Sequence, residues 1–269
     1  MKHIVLLGAS NSLMPFRLRE GLASNENVKL INLSLGGTGA LQKVYEIHRE
    51  RNQEIFKKAD LIIIESNAID ITDYDAKFTS PQNLKKYIAW LYESLYALQT
   101  RVLTLIIPRF NGFHWVHNVH IKYCNLYGFN VIDMNEYYVE RNMFEFWCYS
   151  LYDGQHQAKT IMYNLGANIV NHLEDFAYPK ENLPKSALEF KVLNPKNMIC
   201  GEVNKPEIIH KKDLFSNENI FRLKDEVKLK FPKEFLGYTL VGLHTHTPSK
   251  EVKNGSSRRN SLFKLCAKK

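Results

Sequence analysis

Five short aliphatic runs punctuate residues 1–176: HIVLLG (3–8), VKLINLS (28–34), LIIIES (61–66), VLTLIIP (102–108) and FNVIDM (129–134). Each is mostly continuous in its apolar character, the pattern of parallel strands buried on both faces. Longer amphipathic stretches separate them. ALQKVYEIHRERNQEIFKKA (40–59) reads as one helix, and SPQNLKKYIAWLYESLYALQT (80–100) as another, capped by Ser80 and opened by Pro81. HQAKTIMYNLGANIVNHLEDF (156–176) reads as a last helix. This alternation predicts a three-layer α/β/α sandwich around a five-stranded parallel sheet with right-handed crossovers. In such sheets ligands sit beyond the carboxyl ends of the strands.

After residue 176 the pattern changes. AYPKENLPKS (177–186) has two prolines and no apolar period, and reads as a linker. IFRLKDEVKLKF (220–231) alternates with period two: Phe221, Leu223, Val227, Leu229 and Phe231 fall on one face, Arg222, Lys224, Glu226, Lys228 and Lys230 on the other. YTLVGLHTHT (238–247) is its expected partner. Residues 187–247 are therefore predicted as a small, basic β-rich module, and 248–269 as a basic flexible tail.

Composition sharpens this division. Of 36 Lys+Arg and 28 Asp+Glu, residues 1–176 hold 17 and 18, a charge of −1, while 177–269 hold 19 and 10, a charge of +9. The excess positive charge thus lies in the last third and points to an anionic partner. No apolar run is long enough to span a bilayer, and the five apolar residues after MKH are too few for a secretory signal. Cys124, Cys148, Cys200 and Cys266 form no Cys-x-x-Cys pair, so reduced thiols in a cytoplasmic protein are the expectation.

The candidate chemistry gathers where the strands end. Gly8-Ala9-Ser10-Asn11-Ser12 follows the first run, NLSLGGTGA with Gly36 and Gly37 the second, and ESNAID the third; YDGQHQA, with Asp153 three residues before His156, precedes the last helix. A serine hydroxyl needs a base to take its proton and a carboxylate to orient that base. Asp153 and His156 could supply both from one segment. A glycine turn can aim an N–H at a developing oxyanion, and an asparagine amide can add another donor.

In this order the blocks resemble those of the SGNH (GDSL-type) hydrolases, in the variant associated with bacterial surface-polysaccharide loci. The resemblance covers roughly residues 1–176. It implies Ser10 as nucleophile, Asp153 and His156 as the rest of a triad, and the Ser10 N–H, Gly37 and Asn67 as oxyanion donors. Ala9 stands where the GDSL name has aspartate. Laying Asp60–Asp70 on the family's D…ExGxND pattern puts Asn67 on the glycine and Ile69 on the asparagine, so Asn67 would serve from two residues upstream on an extended segment.

The function expected is a serine esterase removing an O-acyl group, chiefly acetyl, from a carbohydrate, with no metal or organic cofactor required. Two alternatives remain open: an O-acyltransferase using the same serine intermediate, and an inactive scaffold that binds an anionic glycan. Arg222, Lys224, Lys228 and Lys230 are candidate contacts for an acidic glycan, an acidic carrier protein or a membrane surface, which would put the protein at the inner face of the membrane; their other reading is the wet side of a sheet. No nucleic-acid reader motif accompanies the charge. His114, His117 and His120 recur every three residues without a carboxylate or cysteine at zinc-like spacing, and read as a polar helix face rather than a metal site.

Overall fold

Strands β1 (Lys2–Leu7), β2 (Val28–Asn32), β3 (Leu61–Ile64), β4 (Arg101–Ile106) and β5 (Asn130–Asp133) form one parallel sheet in the order β2-β1-β3-β4-β5. In register, Ile4 lies beside Leu30 and Leu61, and Leu103 beside Ile63 and Asn130. The computed structural model describes residues 1–109, 114–143, 145, 156–184, 187–193, 199–200, 207–212, 217–222, 229–244 and 265–268. β1, β3 and β4 are buried over most of their length, as their continuous aliphatic runs require, whereas β2 and β5 are half-buried because they are the edges.

Helices α1 (Leu18–Leu22), α2 (Ala40–His48), α3 (Gln53–Lys57), α4 (Asn67–Asp75), α5 (Pro81–Ala97), α6 (Trp115–Tyr127), α7 (Met134–Glu140) and α8 (Lys159–Asn171) fill the crossovers. One sheet face, through Ile4, Leu6, Ile63, Leu103 and Leu105, packs on Leu18 and Leu22 of α1, Tyr138 of α7, and Met162 and Ile169 of α8. The other face carries the alternate residues Val5, Leu7, Ile62, Ile64 and Thr104, which are equally buried. There α5 and α6 pack together, and the hydroxyl of Tyr92 on α5 lies 3.3 Å from that of Thr104 on β4. Helices thus cover both faces, giving the three-layer sandwich.

Two expectations about the first unit are corrected locally. The stretch 40–59 is not one helix: the Asn52 side chain donates to the Glu46 carbonyl and carboxylate, taking the carbonyl that a continuing helix would use, and the chain restarts as α3. Residues 177–184, expected as linker, are fastened to the sandwich: Lys180 N–H donates to Tyr127 O, Ala177 N–H to Asn130, and the Tyr96 hydroxyl bridges Lys180 O and Leu183 N–H.

The chain divides into Met1–Ile47 with Arg51–Ser186, and His48–Glu50 with Ala187–Lys269. The second unit holds short antiparallel pairings. β8 (Glu207–Lys212) pairs with β9 (Asn217–Arg222), β10 (Leu229–Lys230) with β7 (Ile199–Cys200), and β12 (Leu265–Lys268) with both β11 (Tyr238–Gly242) and β6 (Phe190–Lys191). The expected single strand 220–231 is therefore replaced by β9 and β10 in separate sheets, with residues 223–228 outside the described set, and 238–242 pairs with 265–268 instead, inside the span read as tail. Alternation fixes which face a residue takes but not which strand it meets.

Helices α1 and α8 pack closely against each other. A Cβ on Gly21 would sit 2.0 Å from the Tyr163 carbonyl oxygen, and one on Gly166 would sit 2.5 Å from that of Leu18. Backbone meets backbone there, with no flexible side chain to yield. Gly166→Ala is expected to lower unfolding free energy by about 2 kcal/mol or more, although alanine gains about 1 kcal/mol of helix propensity. Urea unfolding checks this; an unchanged midpoint would contradict the packing.

Candidate active site

The turn after β1 is held at every residue around Ser10. Gly8 N–H donates to the Ser34 hydroxyl at 2.7 Å, Ala9 N–H to Glu65 Oε2 at 2.8 Å, and the Ser12 hydroxyl to the same oxygen at 3.1 Å. Asn32 Nδ2 donates to the Ser12 carbonyl, and Leu35 N–H to the Gly8 carbonyl, strapping the turn to the chain after β2. Position 8 must be glycine: a Cβ there would lie 1.7 Å from Ser12 Oγ. Ser10 itself is half-buried, and its carbonyl accepts from Leu13 and Met14, starting the path toward α1.

Across the site, Gln157 N–H donates to the buried Asn11 Oδ1 at 3.2 Å. This bond joins residues 146 apart in sequence, each next to a predicted triad member. His156 is half-buried at the approach to α8, within electrostatic reach of Glu65. The bonds described here tie residues 10 and 156 through their neighbours, not through their own side chains. Asp153 lies outside the described residues.

Gly37 has φ of 69°, in the left-handed region that favours glycine, and is exposed. The next residue is fixed from below: the buried Lys43 ammonium donates to the Thr38 carbonyl. Asn67 does not lie on an extended segment, as the sequence suggested, because it opens α4. Its buried carboxamide donates to Ile107 O at 2.8 Å and accepts from Ile107 N–H at 3.0 Å, locking α4 to the end of β4. One Nδ2 hydrogen remains beyond that pair.

Residues that sequence reasoning passed over form a buried polar layer beneath these loops. Glu65 is fully buried. Burial pushes its carboxyl up, while the Lys43 charge, the Ala9 and Ser12 hydrogen bonds and His156 pull it back. Desolvation takes Lys43 down to about 8 against the attraction of Glu65, Asp70, Asp73 and Glu46. Asp73, pressed by burial and by Asp70, is raised to about 7. The signal available in the sequence was a glutamate closing a run of three isoleucines, a position that needs a compensating partner.

The histidine series resolves into three different jobs. His120, buried, donates Nε2–H to Asp70 Oδ2 at 3.1 Å, since a carboxylate only accepts, and meets the Tyr92 hydroxyl at 3.0 Å through Nδ1. Asp70 Oδ1 in turn accepts Ala40 N–H at the start of α2. His114 caps α6 by accepting Val116 N–H, and His117 is buried, its imidazole lowered to about 4 by desolvation. Among the described residues no group of three metal-capable side chains converges. Of the cationic candidates, Arg222 is on β9 and Lys230 is exposed on β10, while Lys224 and Lys228 lie outside the described residues. Arg222 and Lys230 lie on strands of separate sheets.

A structure comparison aligns 79% of this chain with 61% of a two-domain esterase (CEX) active on acetylated mannans, at a TM-score of 0.51 and 14% identity. It aligns 64% with 94% of a catalytic mutant of Axe2, an acetylxylan esterase from Geobacillus stearothermophilus, at 0.50 and 10%. The chain shares the three-layer α/β/α fold of these two proteins. No family model matches the sequence, and no curated protein matches it by sequence. The chain spans about 61% of the length of the mannan esterase. Among the described residues, no helix is long and apolar enough to cross a membrane.

Asp73 gives the polar layer a pH signature. A carboxyl raised on folding holds its proton more tightly in the native state, so its contribution is complete below about pH 3.8 and is lost as pH rises through about 7. Asp73→Asn should match wild type near pH 4 and exceed it by about 1–3 kcal/mol at pH 8. Urea titrations at both pH values check this; equal stability at pH 8 would contradict the raised carboxyl.

Proposed function

We propose that this protein is a serine esterase that removes O-acyl groups, chiefly acetyl, from a carbohydrate. The observation that carries the reading is the bond from Gln157 N–H to Asn11, which brings the residue after His156 onto the turn that presents Ser10. Such a turn at the carboxyl edge of a parallel sheet, under a glycine loop, suits attack on an ester carbonyl. The acetyl and carbohydrate assignments draw on the mannan and xylan esterases of the same fold.

In the proposed reaction His156 removes the Ser10 proton as Oγ attacks the carbonyl carbon, and Asp153 orients the imidazole. The resulting oxyanion is met by the N–H groups of Ser10 and Gly37, with the spare Asn67 amide hydrogen as a third donor. His156 then gives its proton to the departing sugar oxygen. A water deprotonated by His156 attacks the acyl-serine, releasing acetate and restoring the hydroxyl. The chemistry calls on no metal. The basic second unit, through Arg222, Lys224, Lys228 and Lys230, would favour an anionic glycan, an acidic carrier protein or an anionic membrane surface.

The test is hydrolysis of p-nitrophenyl acetate and of acetylated oligosaccharides, with labelling by a fluorophosphonate. Wild type is expected to turn over and label; Ser10→Ala should do neither, and His156→Ala should lose about 1,000-fold or more in kcat. Acetyl appearing on an added glycan in excess of free acetate would assign a transferase instead. A folded wild type that neither labels nor turns over would overturn the reading.

A further inference from the structure

The carboxylate at the end of β3 is expensive to keep. Glu65 follows four fully buried aliphatic residues and is itself sealed from solvent, a place where an apolar residue would cost nothing and a charge must be compensated. What it does with that charge is specific. Both of its hydrogen bonds fall on one oxygen, Oε2, and both donors belong to the Ser10 turn: Ala9 N–H immediately before Ser10 and the Ser12 hydroxyl two residues after it. The approach depends on Gly8, where a Cβ would stand 3.1 Å from Oε2.

Its counter-charge acts on the opposite loop. Lys43, also sealed from solvent, is within electrostatic reach of Glu65 and donates to the Thr38 carbonyl, next to Gly37. Two buried groups, a carboxyl and an ammonium, therefore hold two loops at once.

We propose that Glu65 is a positioning residue for the Ser10 nucleophile, its Oε2 fixing the turn from behind through Ala9 and Ser12. The role rests on the esterase reading, since it presupposes that Ser10 attacks. A carboxylate one methylene shorter retracts from both donors while keeping its charge; a carboxamide of the same length keeps an acceptor oxygen in place. The position of the acceptor, rather than charge alone, is what the turn requires.

The experiment compares Glu65→Asp and Glu65→Gln with wild type for p-nitrophenyl acetate turnover and for Ala9 amide hydrogen exchange by NMR, with thermal unfolding as the check on folding. Glu65→Asp is expected to lower kcat about 10- to 100-fold with KM within about twofold, because a displaced nucleophile slows the chemical step more than binding. Its Ala9 amide should exchange at least about tenfold faster, and Glu65→Gln should restore most of both quantities. Wild-type kcat in Glu65→Asp, a loss confined to KM, or equal impairment in Glu65→Gln would overturn the proposal. Should Glu65→Asp fail to fold, Ser12→Ala removes one donor alone and should lower kcat with KM unchanged; wild-type kcat there would also overturn it. If wild type itself does not hydrolyse esters, the esterase reading falls, and Ala9 exchange still decides the Glu65 clamp: faster in Glu65→Asp supports it, unchanged refutes it.

Discussion

Two helices with no room between their backbones set the geometry of the site. α1 continues from the Ser10 turn and α8 continues from the His156 segment, so the close approach of Gly21 to Tyr163 and of Gly166 to Leu18 fixes the distance between the two chain entries. The Gln157–Asn11 hydrogen bond then fixes their phase. Everything chemical follows from this closure. A serine and a histidine almost 150 residues apart can cooperate only if the sheet and these helices deliver them to one edge.

A second layer of control lies under the loops. Lys43, Glu65, Asp70 and His120 are buried, and each is spent on a main-chain group of a loop or helix start, or on a side chain that holds one. Burying such charges is costly, and the compensation comes from fixed hydrogen bonds and mutual attraction rather than from water. The layer ties the loops after β1 and β2 to buried partners while leaving Ser10 half-buried and Gly37 exposed.

The first unit was readable because its signals are local. Continuous aliphatic runs name the strands, and Ser80 with Pro81 names the start of α5, where the serine hydroxyl does accept from Asn83. Ser10 and Gly37 could be singled out because glycine and serine at a strand end carry conformational and chemical meaning together. Lys43 could not, since a lysine in an amphipathic helix looks solvent-facing until the topology buries it; Glu65 closes an aliphatic run, which marks it as buried, but its partners on the Ser10 turn lie more than fifty residues away. Asn67 was misplaced for a related reason: whether ESNAID continues the strand or opens α4 depends on its carboxamide finding Ile107, forty residues away. In the second unit the period-two pattern identified β character, but pairing partners depend on long-range register that alternation does not encode.

The proposed chemistry requires Ser10 and His156 to face one another at the carboxyl edge of the sheet. The most direct measurement is a crystal structure of the protein after reaction with a fluorophosphonate. A phosphonyl group is expected on Ser10 Oγ, with His156 Nε2 within about 2.6–3.2 Å of that oxygen or of a phosphonyl oxygen. An adduct on another residue, or a His156 ring turned away from Ser10 across the sheet edge, would contradict it.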